Sequence, residues 1–409
     1  MRVGIIGAGV SGLVAAHELQ RAGHQVVVFE AGAYAGGHTN TIDVGDFSVD
    51  TGFIVYNDRN YPNFQRMLRR LDVATQPSDM SFGVGDEDGD FEYASTSPNG
   101  LFAKRAHLAS PAFHRMVLDI RRFQRDARAL LASDDDPSLA QWLEDNNYSR
   151  AFVERLIVPQ AAAVWSADPD QMWTFPARFL VQFFDNHGML DLKDRPKWRT
   201  VSGGSRRYVE ALTGPFADAI RLNTRVTAFA RDDDGVTIEG ERFDHAVLAT
   251  HADQALAILG EQASALEREL LGAFPYAPNE AVLHHDVALL PRRRRAWASW
   301  NYHLLEPQTG KPTVTYHMNR LQSLPDSGRE WCVTLNRTQA IDPEKIVRTI
   351  QYAHPVFTNE GMRAQARVGE ISGGRSRTHF CGAYWGWGFH EDGVVSGLRV
   401  ARELGVTPA

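Results

Sequence analysis

The feature that most constrains the fold lies at the very start of the chain, VGIIGAGVSGLVAAHELQRAGHQVVVFEAG, from Val3 to Gly32. The apolar run Val3 to Ile6 predicts a buried parallel strand. Gly7-Ala8-Gly9-Val10-Ser11-Gly12 follows, with the G-x-G-x-x-G spacing. A helix comes next, with Leu13, Ala16 and Leu19 on one face, and then a second apolar strand, Val26 to Phe29, that ends at Glu30. In such a unit Gly7 permits the tight turn, Gly9 lets a pyrophosphate approach the backbone, and Gly12 lets helix and strand pack closely. The helix amino terminus at Val10 and Ser11 then offers unpaired N–H groups to the phosphates. Glu30, followed by Ala31, is placed to accept hydrogen bonds from both hydroxyls of an adenosine ribose. Its charge repels a 2′-phosphate, so NADP is disfavoured.

Bulk composition sets outer limits. The chain has 409 residues, which allows one large domain or two. Fifty acidic and 43 basic residues give a net charge of −7, which argues against a nucleic-acid partner. The two cysteines, Cys332 and Cys381, have no partner at ligand spacing, so neither a disulfide framework nor a metal site is expected. The chain enters a strand at once, without a charged and apolar leader, and has no apolar run of spanning length. A cytoplasmic location is the expectation, with contact at the inner membrane face left open.

Five later stretches add to the first motif. AGAYAGGHTNT carries Gly36-Gly37-His38, and FSVDTGF carries Asp50 and Gly52. A second glycine pair followed by D-x-G suits a dinucleotide longer than the first motif can hold. WRTVSGGSRRYVEAL (198–212) holds Gly203-Gly204, either a loop beside the ligand or a helix entry capped by Ser205. RLNTRVTAFARDDDGVTIEGERFDHAVLAT (221–250) reads as a strand opening at Val226, a turn, and a second buried strand. RTHFCGAYWGWGFHEDGVVSGLRVARELG (377–405) reads as a strand from Thr378 to Cys381, a glycine-rich aromatic loop, and a helix from Gly393 to Leu404. No second strand-linked G-x-G-x-x-G occurs, which favours an enzyme that takes a hydride from its substrate over one fed by NAD(P)H.

Together these motifs resemble the flavin amine oxidase superfamily, which includes monoamine and polyamine oxidases and carotenoid desaturases. The resemblance implies an α/β fold: a Rossmann-type, glutathione-reductase-like FAD-binding domain with an inserted α+β substrate domain. The first would be built from residues 1–75, 196–255 and 366–409, the second from 76–195 and 256–365. It implies non-covalent FAD held by Gly7, Gly9, Val10, Ser11, Gly12, Glu30, Ala31, Gly36, Gly37, His38, Val226, Gly382, Ala383, Gly388, Gly393 and Val394. The superfamily usually has Arg where this chain has His38, and an acid where it has Ala383, with Glu391 or Asp392 as substitutes. Tyr384, Trp385, Trp387 and Phe389 either wall the isoalloxazine or are buried as core. His390, Tyr56 and His38 are the candidates for a catalytic base.

Further stretches, among them HHDVALLP (284–291), AWASWNYHL (296–304) and YAHPVF (352–357), resemble a bacterial branch of NAD/FAD-binding proteins found with cyclopropane-fatty-acid-synthase-like methyltransferases. That resemblance implies a lipid-linked dehydrogenase acting on an apolar, methyl-branched acyl chain, with a methyltransferase as partner. The aromatic segment Phe175 to Leu190 would suit an apolar tunnel or plain core. PRRRRAW (291–297) would suit an anionic membrane surface or a solvated loop. Two other readings compete. An amine oxidase would cage its substrate between Trp385 and Trp387. A non-catalytic flavin-binding accessory protein would instead steady a methyltransferase.

Overall fold

The computed structural model describes residues 1–165, 171–190, 195–306 and 310–408. Among these, one sheet is a five-stranded parallel layer in the spatial order Ile220–Arg221, Gln25–Phe29, Arg2–Ile6, His245–Leu248, Thr378–Phe380. By position in the chain this order is third, second, first, fourth, fifth. The direction of progression therefore reverses between Arg2–Ile6 and His245–Leu248. In parallel sheets that reversal opens a crevice beyond the carboxyl ends of the strands, where ligands bind. The sheet's apolar residues, Val3, Ile5, Val28, Val247 and Leu248, are fully buried on one face or the other, as a parallel sheet covered on both sides requires.

A second, mixed sheet of seven strands runs in the order Ile346–Pro355, Tyr276–His284, Cys332–Leu335, Val314–His317, Trp300–Leu304, Phe82–Asp86, Glu92–Ala94. One face packs against the helices Pro111–Ala132 and Ala177–Asn186 through a core that includes Phe123, Phe152, Phe184, Leu283 and Tyr316. The aromatic stripe of 175–190 belongs to this core: Phe175, Phe183 and Phe184 are buried, and Phe179 is partly so. Among the described residues no helix is long and apolar enough to cross a membrane. The arginines of PRRRRAW are engaged within the fold. Arg293 pairs with buried Glu92 at 2.8 Å, Arg294 with Glu330 at 2.9 Å, and Arg295 donates to the Ala103 carbonyl.

Two boundaries differ from the sequence reading. Val226 does not open a strand; that strand is Phe229–Asp232, and Val226 lies in an extended lead-in whose side chain is buried beside Phe29 and Phe243. The segment is tied to the end of the strand Gln25–Phe29, since Thr224 N–H donates to the Glu30 carbonyl and Asn223 N–H to that of Gly32. The last helix starts at His390 rather than Gly393, because Phe389 N–H is closed by the Asp392 carboxylate at its first turn.

The first helix (Val10–Arg21) and the last (His390–Glu403) pack directly on each other. Close approach is possible because the facing positions of the last helix are glycines. A Cβ on Gly393 would lie 2.6 Å from Val10 Cγ1, and one on Gly397 would collide with the Ser11 carbonyl and sit 3.0 Å from Val14 Cβ. Glycine inside a helix costs about 1 kcal/mol relative to alanine, so its presence here is explained by the contact. Gly397→Val is expected to lower stability by about 1–3 kcal/mol through overpacking, read as a reduced urea midpoint. Gly272→Ala, whose Cβ meets only Leu256 at 4.0 Å, serves as the control and should shift stability by about 0.5 kcal/mol or less.

Candidate functional site

The helix contact brings the two glycine-rich ends of the chain together at the crevice. Gly7 N–H donates to the Phe29 carbonyl at 2.8 Å, Gly36 N–H donates to that of Ala8 at 2.7 Å, and Gly9 bridges Gly36. Gly37 lies against Gly9, its Cβ position 3.1 Å from Gly9 Cα. A Cβ on Gly9 would meet nothing within 4 Å, so the outer side of this turn is open. Glu30 is held at the same end: Oε2 accepts from Ala8 N–H at 2.8 Å and Oε1 from Gly32 N–H at 2.7 Å. Ala31 beside it is exposed. From the other terminus come Gly382, whose N–H donates to Ser396 Oγ at 3.0 Å, then Ala383, Gly388, Gly393 and Val394. Gly388 has φ +85° and lies under the Phe357 ring. Val394 is 1% exposed. An open glycine turn at a helix amino terminus, with an oriented carboxylate beyond it, fits a dinucleotide.

The rings of the aromatic loop pack against both layers. Tyr384 is 3% exposed and joins Trp385 against Phe274, on the parallel-sheet side. Trp387 stacks on Phe179 at 4.3 Å and Phe389 on Phe183 at 5.3 Å, both on the helix Ala177–Asn186 of the other layer. The loop thus rivets the two sheets together, and Trp385 and Trp387 are turned to different neighbours. Cys381 is fully buried, and burial pushes its thiol up to about 12, which leaves no thiolate for a covalent flavin link. Glu391 and Asp392 do not face the glycine turn. Glu391 accepts from Asn63 and Phe64 N–H at the start of the helix Pro62–Arg70, and Asp392 closes its own loop.

The base candidates separate sharply. Tyr56, expected as one, is 3% exposed and packs edge-on to Tyr61 and Phe64. It is a packing residue, which corrects that expectation. His390 is tied into a side-chain network. Its Nε2 lies 2.6 Å from Tyr208 Oη, which is in turn 2.6 Å from Thr39 Oγ1, and its ring stacks on Phe53 at 3.7 Å. Desolvation holds the imidazole down at about 3, as it does that of His38. His38 retains an open nitrogen: Nε2 is sealed from solvent and has no partner.

Sequence reasoning missed two groups. One is the hub made by Asp50, fully buried, which accepts from Thr41 Oγ1 (2.6 Å), Ser205 N–H (2.8 Å), Ser205 Oγ (2.7 Å) and Gln322 Nε2 (3.0 Å). Ser205 therefore caps no helix; its hydroxyl is spent on Asp50, which fixes the Gly203-Gly204 turn beside the crevice. Burial, only partly offset by these donors, raises the Asp50 carboxyl to about 6. The other group is His251, His354 and Tyr352 around His38. His251 had a readable signal, since it directly follows a buried strand, AVLAT, whose carboxyl end faces the crevice.

A family model described as flavin containing amine oxidoreductase matches residues 10–283, well over half of the chain. The chain belongs to this family. The family is described as flavin-containing and as oxidoreductases. A Mycobacterium tuberculosis protein named as a flavin-containing monoamine oxidase, AofH, is 24% identical over 58% of this chain and 53% of its own length. A Synechococcus elongatus protein named as a zeta-carotene desaturase is 28% identical over 42% of this chain and 40% of its own. The chain spans about half the length of the curated relatives it matches. Among solved structures, cyclohexylamine oxidase from Brevibacterium oxydans superposes with a TM-score of 0.71 at 17% identity, covering 99% of both chains. A fatty acid isomerase from P. acnes superposes with a TM-score of 0.67 at 18% identity over 98% of both. These likenesses show the shared fold.

Removing the Asp50 carboxylate leaves several buried donors unpaired. Asp50→Ala is expected to cost on the order of 3 kcal/mol, measured by chemical denaturation. The buried imidazoles set a pH dependence. His38 and His390 are held near 3 and His354 near 4, against 6.5 for an exposed ring. Below 6.5 the unfolded chain takes up protons that the folded chain refuses, so stability falls as pH drops. Asp50 acts in the opposite sense: its raised value contributes stability at low pH that is lost as pH rises through about 6. The imidazoles outnumber it, so the urea midpoint is expected to be lower at about pH 5 than at about pH 7.5.

Proposed function

We propose that this flavin-containing oxidoreductase dehydrogenates an apolar acyl chain, such as a methyl-branched unsaturated fatty acid carried on phospholipid. The observation that carries the reading is the apolar seam beside the crevice, where Phe179 and Phe183 meet Trp387 and Phe389 and where Phe357 covers Gly388. An alkyl chain is held by such walls with few polar groups. Bound FAD supplies a two-electron hydride acceptor; the protein's part is to hold the chain against that seam and exclude water. An ammonium substrate would need aromatic faces turned to one space, whereas Trp385 packs edge-on to Phe274 and Trp387 lies flat on Phe179. The names of two similar proteins, a carotene desaturase and a fatty acid isomerase, are compatible with an apolar substrate.

A phospholipid-borne substrate would bring the protein to a membrane surface, and the exposed guanidiniums of Arg292 and Arg294 are the groups to meet it. Both already pair with acids, Asp88 and Glu330, so this contact would be weak and salt-sensitive. The test is anaerobic bleaching of the purified yellow protein. Phospholipids with methyl-branched unsaturated chains are expected to bleach it and primary amines are not. Bleaching by amines alone would overturn the reading. A yellow protein bleached by neither would point to the accessory role.

A further inference from the structure

The helix Pro111–Ala132 turns two unlike faces to its surroundings. Its inner face, with Phe113, Met116, Phe123 and Ala127, is core. Its outer face carries His114, Arg115, Leu118, Arg121 and Arg125, all exposed and at helical spacing. Leu118 is 59% exposed, and Leu108, in the turn Arg105–Ala109 just before the helix, is 55% exposed. Among the described residues these are the two most exposed large apolar side chains. They are also neighbours: the His114 ring is bonded at 2.9 Å to the Leu108 carbonyl, and His114 stands one turn before Leu118. A single exposed leucine is ordinary on a protein surface. Two on one face, among guanidiniums, are a different case.

Charge on this face runs against the rest of the chain. Residues 104–126 hold six basic side chains, Lys104, Arg105, Arg115, Arg121, Arg122 and Arg125, and two acids, Asp119 and Asp126, in a protein of net charge −7. Both acids are drawn inward. Asp119 is fully buried and accepts from Ser149 N–H at 2.9 Å and from Arg122 and Arg115. Asp126 is half-buried and accepts from Tyr148 Oη at 2.8 Å, besides pairing with Arg125. Arg105 is bonded to neutral groups, the Phe102 carbonyl and Asn99 Oδ1. Among the described residues Arg121 has no ion-pair partner. The acidic turn beyond Lys104 is matched within the fold: Glu87 pairs with Arg337, Asp88 with Arg292 at 3.7 Å, and Asp90 with Lys104 at 2.8 Å. The exposed run Asp134 to Asp136 follows the last turn of the helix, so the basic surface lies toward its amino-terminal side.

This surface stands close to the seam that holds the acyl chain in the reading above. Phe123, on the inner face, lies 6.1 Å from Phe184 of the helix Ala177–Asn186, and that helix carries Phe179 and Phe183. The helix that bears the outer face thus packs on the helix that bears the seam. The loop from Pro291 to Trp297 adjoins the same surface, since Arg295 donates to the Ala103 carbonyl at 2.7 Å.

We infer that the outer face of the helix Pro111–Ala132, with the turn Arg105–Ala109, is a docking surface for an anionic phospholipid bilayer. Leu108 and Leu118 enter the boundary between headgroups and acyl chains, and Arg105, Arg115, Arg121 and Arg125 face lipid phosphates. A soluble polyanion would match the arginines and leave the leucines in water, whereas a bilayer surface meets both. The choice of lipid as the occupant rests on the acyl-chain reading, and it gives a membrane-borne chain a surface next to the seam. Arg292 and Arg294 become the margin of this surface.

The test is cosedimentation of the purified full chain with vesicles of phosphatidylcholine, alone or mixed with phosphatidylglycerol. Binding is expected to the mixed vesicles and not to phosphatidylcholine alone, and it should weaken as salt is added. Leu108→Ser/Leu118→Ser should lower binding about tenfold or more. Arg121→Gln/Arg125→Gln should lower it on the order of 20-fold, about fivefold for each charge lost. Val347→Ser, which removes an exposed apolar side chain from the edge strand Ile346–Pro355, should leave binding unchanged. Circular dichroism checks that each variant is folded; should one misfold, the lipid and salt dependence of the wild-type protein still decides. Absence of wild-type binding to the mixed vesicles, equal binding to both vesicle types, or full binding by either folded double variant would overturn the inference. So would a wild-type dimer in solution that Leu108→Ser/Leu118→Ser dissociates, since the face would then be a contact between two copies. Acyl bleaching without vesicle binding overturns this surface and leaves the acyl reading. Vesicle binding by a protein that only amines bleach overturns the acyl reading and leaves the surface.

Discussion

The contact between the first and last helices is the constraint from which the site follows. They are separated by nearly the whole chain, yet Gly393 and Gly397 let the last helix lie directly on Val10, Ser11 and Val14. Without that approach the glycine turn at residues 7–12 and the loop at residues 382–393 would be two unrelated loops. With it they form facing walls of one crevice at the reversal point of the parallel sheet. The strands supply the floor, and the small residues set how closely the walls meet.

The crevice is joined to the second sheet by two different kinds of contact. The aromatic loop is an apolar joint, with one pair of rings committed to each layer. Asp50 is a polar joint. It gathers the strand Phe47–Asp50, the Gly203-Gly204 turn and Gln322 around a single carboxylate that has no contact with water. A buried carboxylate is tolerable only when its lone pairs are filled, and here four donors fill them. The polar chain from Thr39 through Tyr208 to His390 works in the same way next to it. These joints fix the loops on both sides of the crevice, so its shape depends on residues from five separate stretches of sequence.

Much of the nucleotide half was legible in the sequence. The strand, glycine turn, helix, strand and terminal acid all lie within residues 2–30, and each is determined by its near neighbours. Glu30 could be assigned because it sits at the end of an apolar run, and the structure finds it fastened by Ala8 and Gly32. The base candidates were harder. Tyr56 and His390 were singled out by residue type and by nearness in sequence to glycines. Tyr56 is buried beside Tyr61 and Phe64, and His390 is bonded to Tyr208 and stacked on Phe53. Val226 was expected to open a strand, but the strand's start was not visible, because the bonds that hold its lead-in come from residues 30 and 32.

The sequence by itself determined the parallel nucleotide-binding unit, since a tight turn, a close backbone approach and an oriented acid are local requirements written within thirty residues. Only the tertiary structure decided what the aromatic rings, Asp50 and the histidines do. Asp50 and Gln322 are 272 positions apart, and His38 meets a ring from the edge strand of another sheet. Whether an imidazole is a base or a packing ring depends on its burial and on the charges around it, and the folded chain sets both.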